Sequence, residues 1–254
     1  MKICMVGSGN VATVLSKLMK QRGHDVVQVL SRHAAHAEIL AAETGASSAG
    51  DFSIPPRAEA EIIIIAVSDS ALTSGNFPLK TGGKLVVHTA GSVARNVLDP
   101  LSSRNGILYP LQTLRKGLQT IPQIPFLIDG SDEEVKKNLK DFAMSLSSLV
   151  QVAGDEERLK LHTAAVIVNN FTNHLYALAS EFCAGEELDF NLLHPLIKET
   201  AARIDHISAS EAQTGPAARN DLKTISVHLE LLEKHPALKE IYRLLSESIR
   251  IRHT

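Results

Sequence analysis

Lys2-Ile-Cys-Met-Val-Gly7 is a short apolar run closed by glycine, and Val11, Val14, Leu15, Leu18 and Met19 follow it at helical spacing. This pattern predicts a strand, a turn and a helix that ends at Gly23. Val26, Val27, Val29 and Leu30 give a second strand, and Ala34–Thr44 a second helix. Glu61-Ile-Ile-Ile-Ile-Ala-Val67 is rich in β-branched residues and does not alternate, as expected of a strand covered on both faces in the middle of a parallel sheet. Lys84–Thr89, Gly106–Tyr109, Pro125–Asp129 and Leu149–Val152 read as further strands, with a charged helix from Asp132 to about Leu146. Strands and helices that alternate in this way predict a doubly wound, mostly parallel α/β domain. After Gly154 no strand-like run recurs. Helical periodicity over Glu156–Glu181, Asp189–Ile207, Asp221–Glu233 and Pro236–Arg250 predicts an all-α C-terminal domain. The expected boundary lies near Ala153, giving domains 1–153 and 154–254.

Composition narrows the function. With 44% apolar residues in 254, the chain can bury a large core. A formal charge of −2 with scattered Lys and Arg lacks the positive field that drives nucleic-acid binding, and the absence of Trp leaves few platforms for base stacking. A small-molecule substrate is the expected partner, with no nucleic acid. Cys4 and Cys183 sit in apolar stretches without CxxC spacing, so neither a disulfide framework nor a metal site is expected, and a reduced compartment fits. The longest apolar run, near Ile62–Val67, is far shorter than the roughly 18 residues a membrane span needs. Gly7, Gly9 and Asn10 interrupt any signal-peptide core near Met1. The expected location is cytoplasmic.

Candidate chemistry begins at the first turn. Gly7-Ser8-Gly9-Asn10-Val11-Ala12 fits the pattern GxGxxA between a strand and a helix, the setting in which that pattern binds a dinucleotide. The first glycine permits the turn, the second admits the pyrophosphate, and the third small residue lets helix and strand pack closely. The predicted domain is therefore a Rossmann sheet. Its second strand ends at Leu30-Ser31-Arg32, where an acid for the ribose hydroxyls would favour NAD; a hydroxyl and a guanidinium suit a 2′-phosphate instead, so NADP is the expected cofactor. Val67, Ser68 and Ala90 stand at later strand ends and are expected along the nicotinamide side, although Ser68 or Asp69 could equally cap a helix. His88, at the end of another strand, is the expected acid/base, against the alternative of a hydrogen-bonded structural histidine.

In the helical half, His162, Asn169 and Asn173 follow the spacing i, i+7, i+11 and are expected to share one face. A polar stripe on an apolar helix is costly to bury, so these three are expected to line a cleft or a subunit contact and join His88 as expected catalytic or substrate-side groups, with interhelical hydrogen bonding as the alternative. Gly215-Pro216 reads as a helix start, with Arg219 and Asp221 one turn on. Gly215, Arg219 and Asp221 are the expected contacts for a substrate oxyanion.

Together Gly7–Ala12, Ser31-Arg32, His88–Ser92, Tyr109-Pro-Leu-Gln-Thr113, Asn169–Asn173 and Thr214–Asp221 resemble the pyrroline-5-carboxylate reductase and β-hydroxyacid dehydrogenase superfamily. The chain is more closely similar to a bacterial family of Rossmann-like NADP- or F420-dependent oxidoreductases with a helical domain of unknown function. The resemblance implies a homodimer formed through the C-terminal helices. It does not carry mechanisms across. The wider family often has His where Tyr109 precedes the proline, Lys160 lacks the dehydrogenases' Asn one turn later, and Thr-Gly-Pro-Ala-Ala-Arg replaces the reductases' hydroxyl-rich loop. The expected activity is transfer of a hydride between NADP(H) and a small carbonyl, hydroxy or imine substrate in an interdomain cleft. The rivals are a non-catalytic NADP(H) sensor acting through its helical domain and a deazaflavin–NADP oxidoreductase.

Overall fold

The apolar runs become one sheet. Its strands are β1 (Lys2–Val6), β2 (Asp25–Leu30), β3 (Ala49–Gly50), β4 (Ile62–Ile65), β5 (Leu85–His88), β6 (Asn105–Pro110), β7 (Phe126–Gly130) and β8 (Val150–Val152), in the order β3-β2-β1-β4-β5-β6-β7-β8. Neighbours pair parallel except β6 with β7. The computed structural model describes residues 1–46, 49–74 and 78–253, and the chain divides into two compact units, Met1–Asn169 and Asn170–Thr254. The sheet belongs to the first unit, and the second is helical.

The run of four isoleucines has a direct cause. Ile62 and Ile64 enter one apolar layer with Ile3, Met5 and the Val14, Leu15 and Met19 side of α1 (Asn10–Gln21). Ile63 and Ile65 enter the opposite layer with Cys4, Val6, Leu72 and Leu98. None of the four is more than 1% exposed, and each buried side chain contributes about 1.5–3 kcal/mol, so a polar residue on either face of β4 would be costly. Cys4 is part of this packing. Burial pushes its thiol up to about 12, which makes it an inert apolar group rather than a nucleophile.

Helices α2 (Ala34–Thr44), α3 (Asp69–Thr73) and α4 (Glu133–Leu146) complete the winding. α4 starts where Asp132 accepts a hydrogen bond from the Val135 N–H at 2.9 Å, with Glu133 and Glu134 in the first turn facing the positive end of the helix dipole. The doubly wound α/β fold expected from the sequence is the observed one. The two-residue strand β3 was not anticipated.

Beyond β8 the chain continues as α5 (Asp155–Ala165), a π-helical segment (Val166–Phe171), α6 (Thr172–Gly185), α7 (His194–Arg203), α8 (Leu222–Leu231) and α9 (Pro236–His253). Two local expectations are corrected. The helix expected to run unbroken over Glu156–Glu181 contains the π segment, whose wider turn shifts the phase on which the stripe of His162, Asn169 and Asn173 was reckoned. No helix starts at Gly215-Pro216. Gly215 has φ +103° and Asn220 φ +54°, conformations a helix cannot contain, and helix α8 begins at Leu222 with Asp221 as its cap. Within the second unit, His228 Nδ1 lies 2.8 Å from the Tyr242 hydroxyl, joining α8 to α9, and Phe182 meets His235 edge-on at 5.1 Å. Among the described residues no helix is long and apolar enough to cross a membrane.

Candidate functional site

A cleft of about 530 Å³ opens where β1, β2, β4 and β5 end, and its walls come from the loops that follow those strands. This is the side on which open parallel sheets bind ligands. Gly7, Ser8, Gly9, Asn10 and Val11 form its floor, and Ala12 is fully buried behind them.

The two glycines do different work. Gly7 has φ +119°, and a Cβ there would lie 2.1 Å from the Ala66 carbonyl oxygen; its N–H donates to Leu30 O at 2.7 Å, tying the turn to β2. Only glycine fits. Gly9 caps α1 with ordinary φ −77°, and a Cβ there would meet nothing within 4 Å, because it would stand in the cleft. No side chain caps α1, and its first turn carries no acid. Its leading N–H groups and its positive dipole end therefore face the cleft, an arrangement that accepts a phosphate. The Asn10 carboxamide oxygen accepts the Lys116 N–H at 3.0 Å, bringing the Lys116 loop to the same rim.

Ser8 Oγ and Ser31 Oγ are 2.8 Å apart, so the glycine turn is locked to the end of β2. Arg32, His33 and His36 line the adjoining wall, the two imidazoles edge to face at 5.4 Å. No carboxylate takes the position after Leu30. Glycine floor, uncapped helix end and basic wall together suit an elongated polyanion.

At the other end of the cleft lie Val67, Ser68 and Asp69 after β4 and Thr89, Ala90 and Gly91 after β5. Ser68 Oγ caps α3 by accepting the Ala71 N–H at 3.4 Å, and Ser92 Oγ donates to the Asp69 carboxylate. His88 does not line this cleft. It is fully buried, its Nδ1 accepts the Ala90 N–H at 3.2 Å, and its Nε2 lies 3.4 Å from Ala94 O. Burial, and next the charge of Arg158, lower its pKa to about 4. A neutral ring with both nitrogens engaged pins the loop at its two ends.

His162, on α5, does line the cleft. Its Nδ1 is 2.8 Å from the Tyr109 hydroxyl, and the rings meet edge-on at 5.8 Å. Four residues earlier on the same helix, Arg158 is 1% exposed, donates through Nη2 to Val93 O and to Asp155, and has no hydrogen-bond partner for Nε or Nη1 among the described residues. Asn169 donates to Thr113 Oγ1. The remaining expected site residues belong to the second unit. Asn173 lies in the first turn of α6, Gly215 and Arg219 in the turns before α8, and Asp221 accepts from Thr224, whose hydroxyl and N–H hold its carboxyl below the usual range. Asp221 is thus a helix cap.

The sequence reading missed Tyr109, Gly91, Lys116 and Arg158 as site residues. Tyr109 had a usable signal, a hydroxyl near the carboxyl end of a strand; a buried arginine on a charged helix had none.

The fold and cleft define a Rossmann-like domain followed by a helical domain. A Rossmann-like domain family matches residues 1–113, and a domain of unknown function, DUF2520, matches residues 124–249. The structure is similar to a Bacteroides fragilis protein, BF3122, described as a putative NADP oxidoreductase, at 39% identity and TM-score 0.90, covering 98% of this chain and 97% of that one. The chain belongs to this family of Rossmann-like proteins with a DUF2520 domain. Its fold is shared by Thermotoga maritima TM1727 at 24% identity and TM-score 0.72, covering 99% and 98% of the two chains. It is also shared by an Aspergillus terreus reductive aminase in complex with NADPH and ethyl-5-oxohexanoate at 18% identity and TM-score 0.66, covering 100% and 96%. No curated protein matches the sequence.

Proposed function

We propose that the chain is an NADP(H)-dependent oxidoreductase acting on a small carbonyl, hydroxy or imine substrate. One observation carries this reading: an uncapped helix end on a glycine floor, continued by Arg32, His33 and His36 without an acid after β2. The description of the 39% identical relative as a putative NADP oxidoreductase supports it.

Gly7, Ser8, Gly9, Asn10, Val11 and Ala12 hold the pyrophosphate through backbone N–H groups. Ser31 and Arg32, with His33 and His36 beside them, take the 2′-phosphate by charge-assisted hydrogen bonds. Val67, Ser68 and Ala90 line the nicotinamide side, together with Thr89 and Gly91. The bound dinucleotide supplies the hydride chemistry. The protein orients it, excludes water and handles the proton, a role we give to His162, which lines the cleft, rather than to His88, whose nitrogens are engaged within the loop.

The helical unit carries large exposed apolar side chains, among them Leu192 at 78% and Leu231 at 63%, and we place a homodimer contact there. Calorimetric titration with NADPH and NADH tests the cofactor assignment. Tighter binding of NADPH is expected; equal affinity, or preference for NADH, removes the roles of Ser31 and Arg32.

A further inference from the structure

His162 presents an unusual pairing. Its Nδ1 is held by the Tyr109 hydroxyl at 2.8 Å, while its Nε2 takes no partner among the described residues and the ring lines the cleft. The Tyr109 hydroxyl has no other partner among them, and a phenol can either donate to a ring nitrogen or accept from it; we take the phenol as donor. A ring that accepts at Nδ1 carries its proton at Nε2. With the phenol as donor, His162 offers an N–H to whatever lies in this end of the cleft.

We propose that Tyr109 and His162 form a two-proton relay: His162 Nε2–H passes to the substrate heteroatom while the Tyr109 hydroxyl proton passes to His162 Nδ1. This rests on the oxidoreductase reading above. In the reducing direction the carbon of a C=O or C=N bond takes a hydride from reduced nicotinamide dinucleotide, and the oxygen or nitrogen takes the Nε2 proton. The Nε2–H and Oη–H bonds break, and the new heteroatom–H and Nδ1–H bonds form. His162 ends neutral in its other tautomer. The negative charge rests on Tyr109 until solvent returns a proton.

Three features of the first unit support the relay. Arg158 is buried with Nε and Nη1 unpaired among the described residues, and its charge favours the ionised form of Tyr109, working against the burial that chiefly raises the tyrosine's pKa; Asp69 acts with burial. His88 is held neutral nearby and adds no competing cation. At Gly91 a Cβ would lie 2.6 Å from His162 Nδ1 and 2.9 Å from Tyr109 Cζ, so the loop after β5 closes on the pair only because this residue is glycine. Tyr109 and Arg158 are positioning residues in this scheme, and His162 is the catalytic one.

The test reads the ring directly. Long-range 1H–15N spectra of the nucleotide-free protein, with the His162 signals assigned by their loss in His162→Gln, are expected to show protonated Nε2 and hydrogen-bonded Nδ1. In Tyr109→Phe the Nδ1 signal is expected to lose its hydrogen-bond shift. Gly91→Ala, which keeps both partners but separates them, should do the same. With NADPH and whichever of a panel of cyclic imines and 2-oxo acids the wild type reduces, Tyr109→Phe is expected to lower kcat about 100-fold, leave the Kd for NADPH unchanged and turn a two-proton solvent isotope inventory into a one-proton one. Protonated Nδ1 in the wild type, or an unchanged kcat in Tyr109→Phe, overturns the relay. Failure to bind NADPH would sink the oxidoreductase reading instead, and the spectra of the free protein distinguish the two.

Discussion

Replacing Gly7 and Gly9 in turn by alanine separates folding from binding at one turn. At Gly7 the new methyl would sit 2.1 Å from Ala66 O and 2.8 Å from Ala66 C, both backbone atoms of the strand end beside it, at a φ of +119°. Strain at such a φ costs about 1–3 kcal/mol, and forcing an atom into a packed contact about 1–3 kcal/mol more. A loss of about 3 kcal/mol lowers the melting temperature of a chain this size by about 6–12 °C. At Gly9 the methyl meets nothing within 4 Å, and φ is ordinary. Alanine caps a helix less well than glycine but restricts the unfolded chain, and these terms of about 0.5–1 kcal/mol offset each other. Gly9→Ala should therefore melt like the wild type. Its methyl nevertheless occupies the space a pyrophosphate needs, and a weakening of NADPH binding by 10- to 100-fold, about 1.4–2.7 kcal/mol, is expected. Thermal denaturation by circular dichroism and calorimetric titration with NADPH measure the two quantities. If Gly9→Ala binds NADPH with wild-type affinity, the pyrophosphate does not lie over α1 and the cofactor assignment fails.

Other outcomes follow from the same geometry. Arg32→Ala should weaken NADPH binding about 10- to 100-fold by removing a charge-assisted contact of about 1.5–3 kcal/mol, with NADH binding little changed in parallel titrations. His88 imposes an acid limit on stability. Its pKa falls from 6.5 to about 4 on folding, so the unfolded chain binds the proton first; the contribution, about 3 kcal/mol, is complete above pH 6.5 and is lost as pH falls toward 4. Denaturant titrations between pH 4 and 7 should show this slope in the wild type and not in His88→Gln, and parallel slopes would refute the assignment. Light scattering should find a particle of twice the 27.4 kDa chain, and a monomer would remove the dimer contact from the helical unit.

How much of this was legible depends on the length scale of the signal. Strands buried on both faces announce themselves, because every position of Ile62–Ile65 must be apolar whichever layer it enters. The glycine turn was legible for a similar reason: Gly7 and Gly9 answer to separate backbone requirements two residues apart, and few other patterns satisfy both. β3 gave no warning, since two residues cannot display a period. The π segment Val166–Phe171 was hidden differently. An i+3, i+4, i+7 template assumes a fixed turn, and a single wide turn leaves composition unchanged while moving every later side chain around the axis.

The two histidines show where sequence stops. Both lie where a site was expected, one at a strand end and one on a helix face, and from spacing alone either could be the acid/base. Strand parity is the difference for His88. Val86 enters the layer that holds Cys4, Val6 and Ile63, and His88, two residues on, points the same way into the layer closed by Val93 and Leu98. An imidazole there must be neutral and doubly hydrogen-bonded to be tolerated at all. His162 has one nitrogen bound and, among the described residues, one without a partner at the cleft wall, and a ring in that state can move a proton. What decides between them is the number of ring nitrogens that neighbouring backbone has already claimed, a quantity that depends on how the loop Thr89–Ala94 folds back and not on the residues that flank either histidine in the chain.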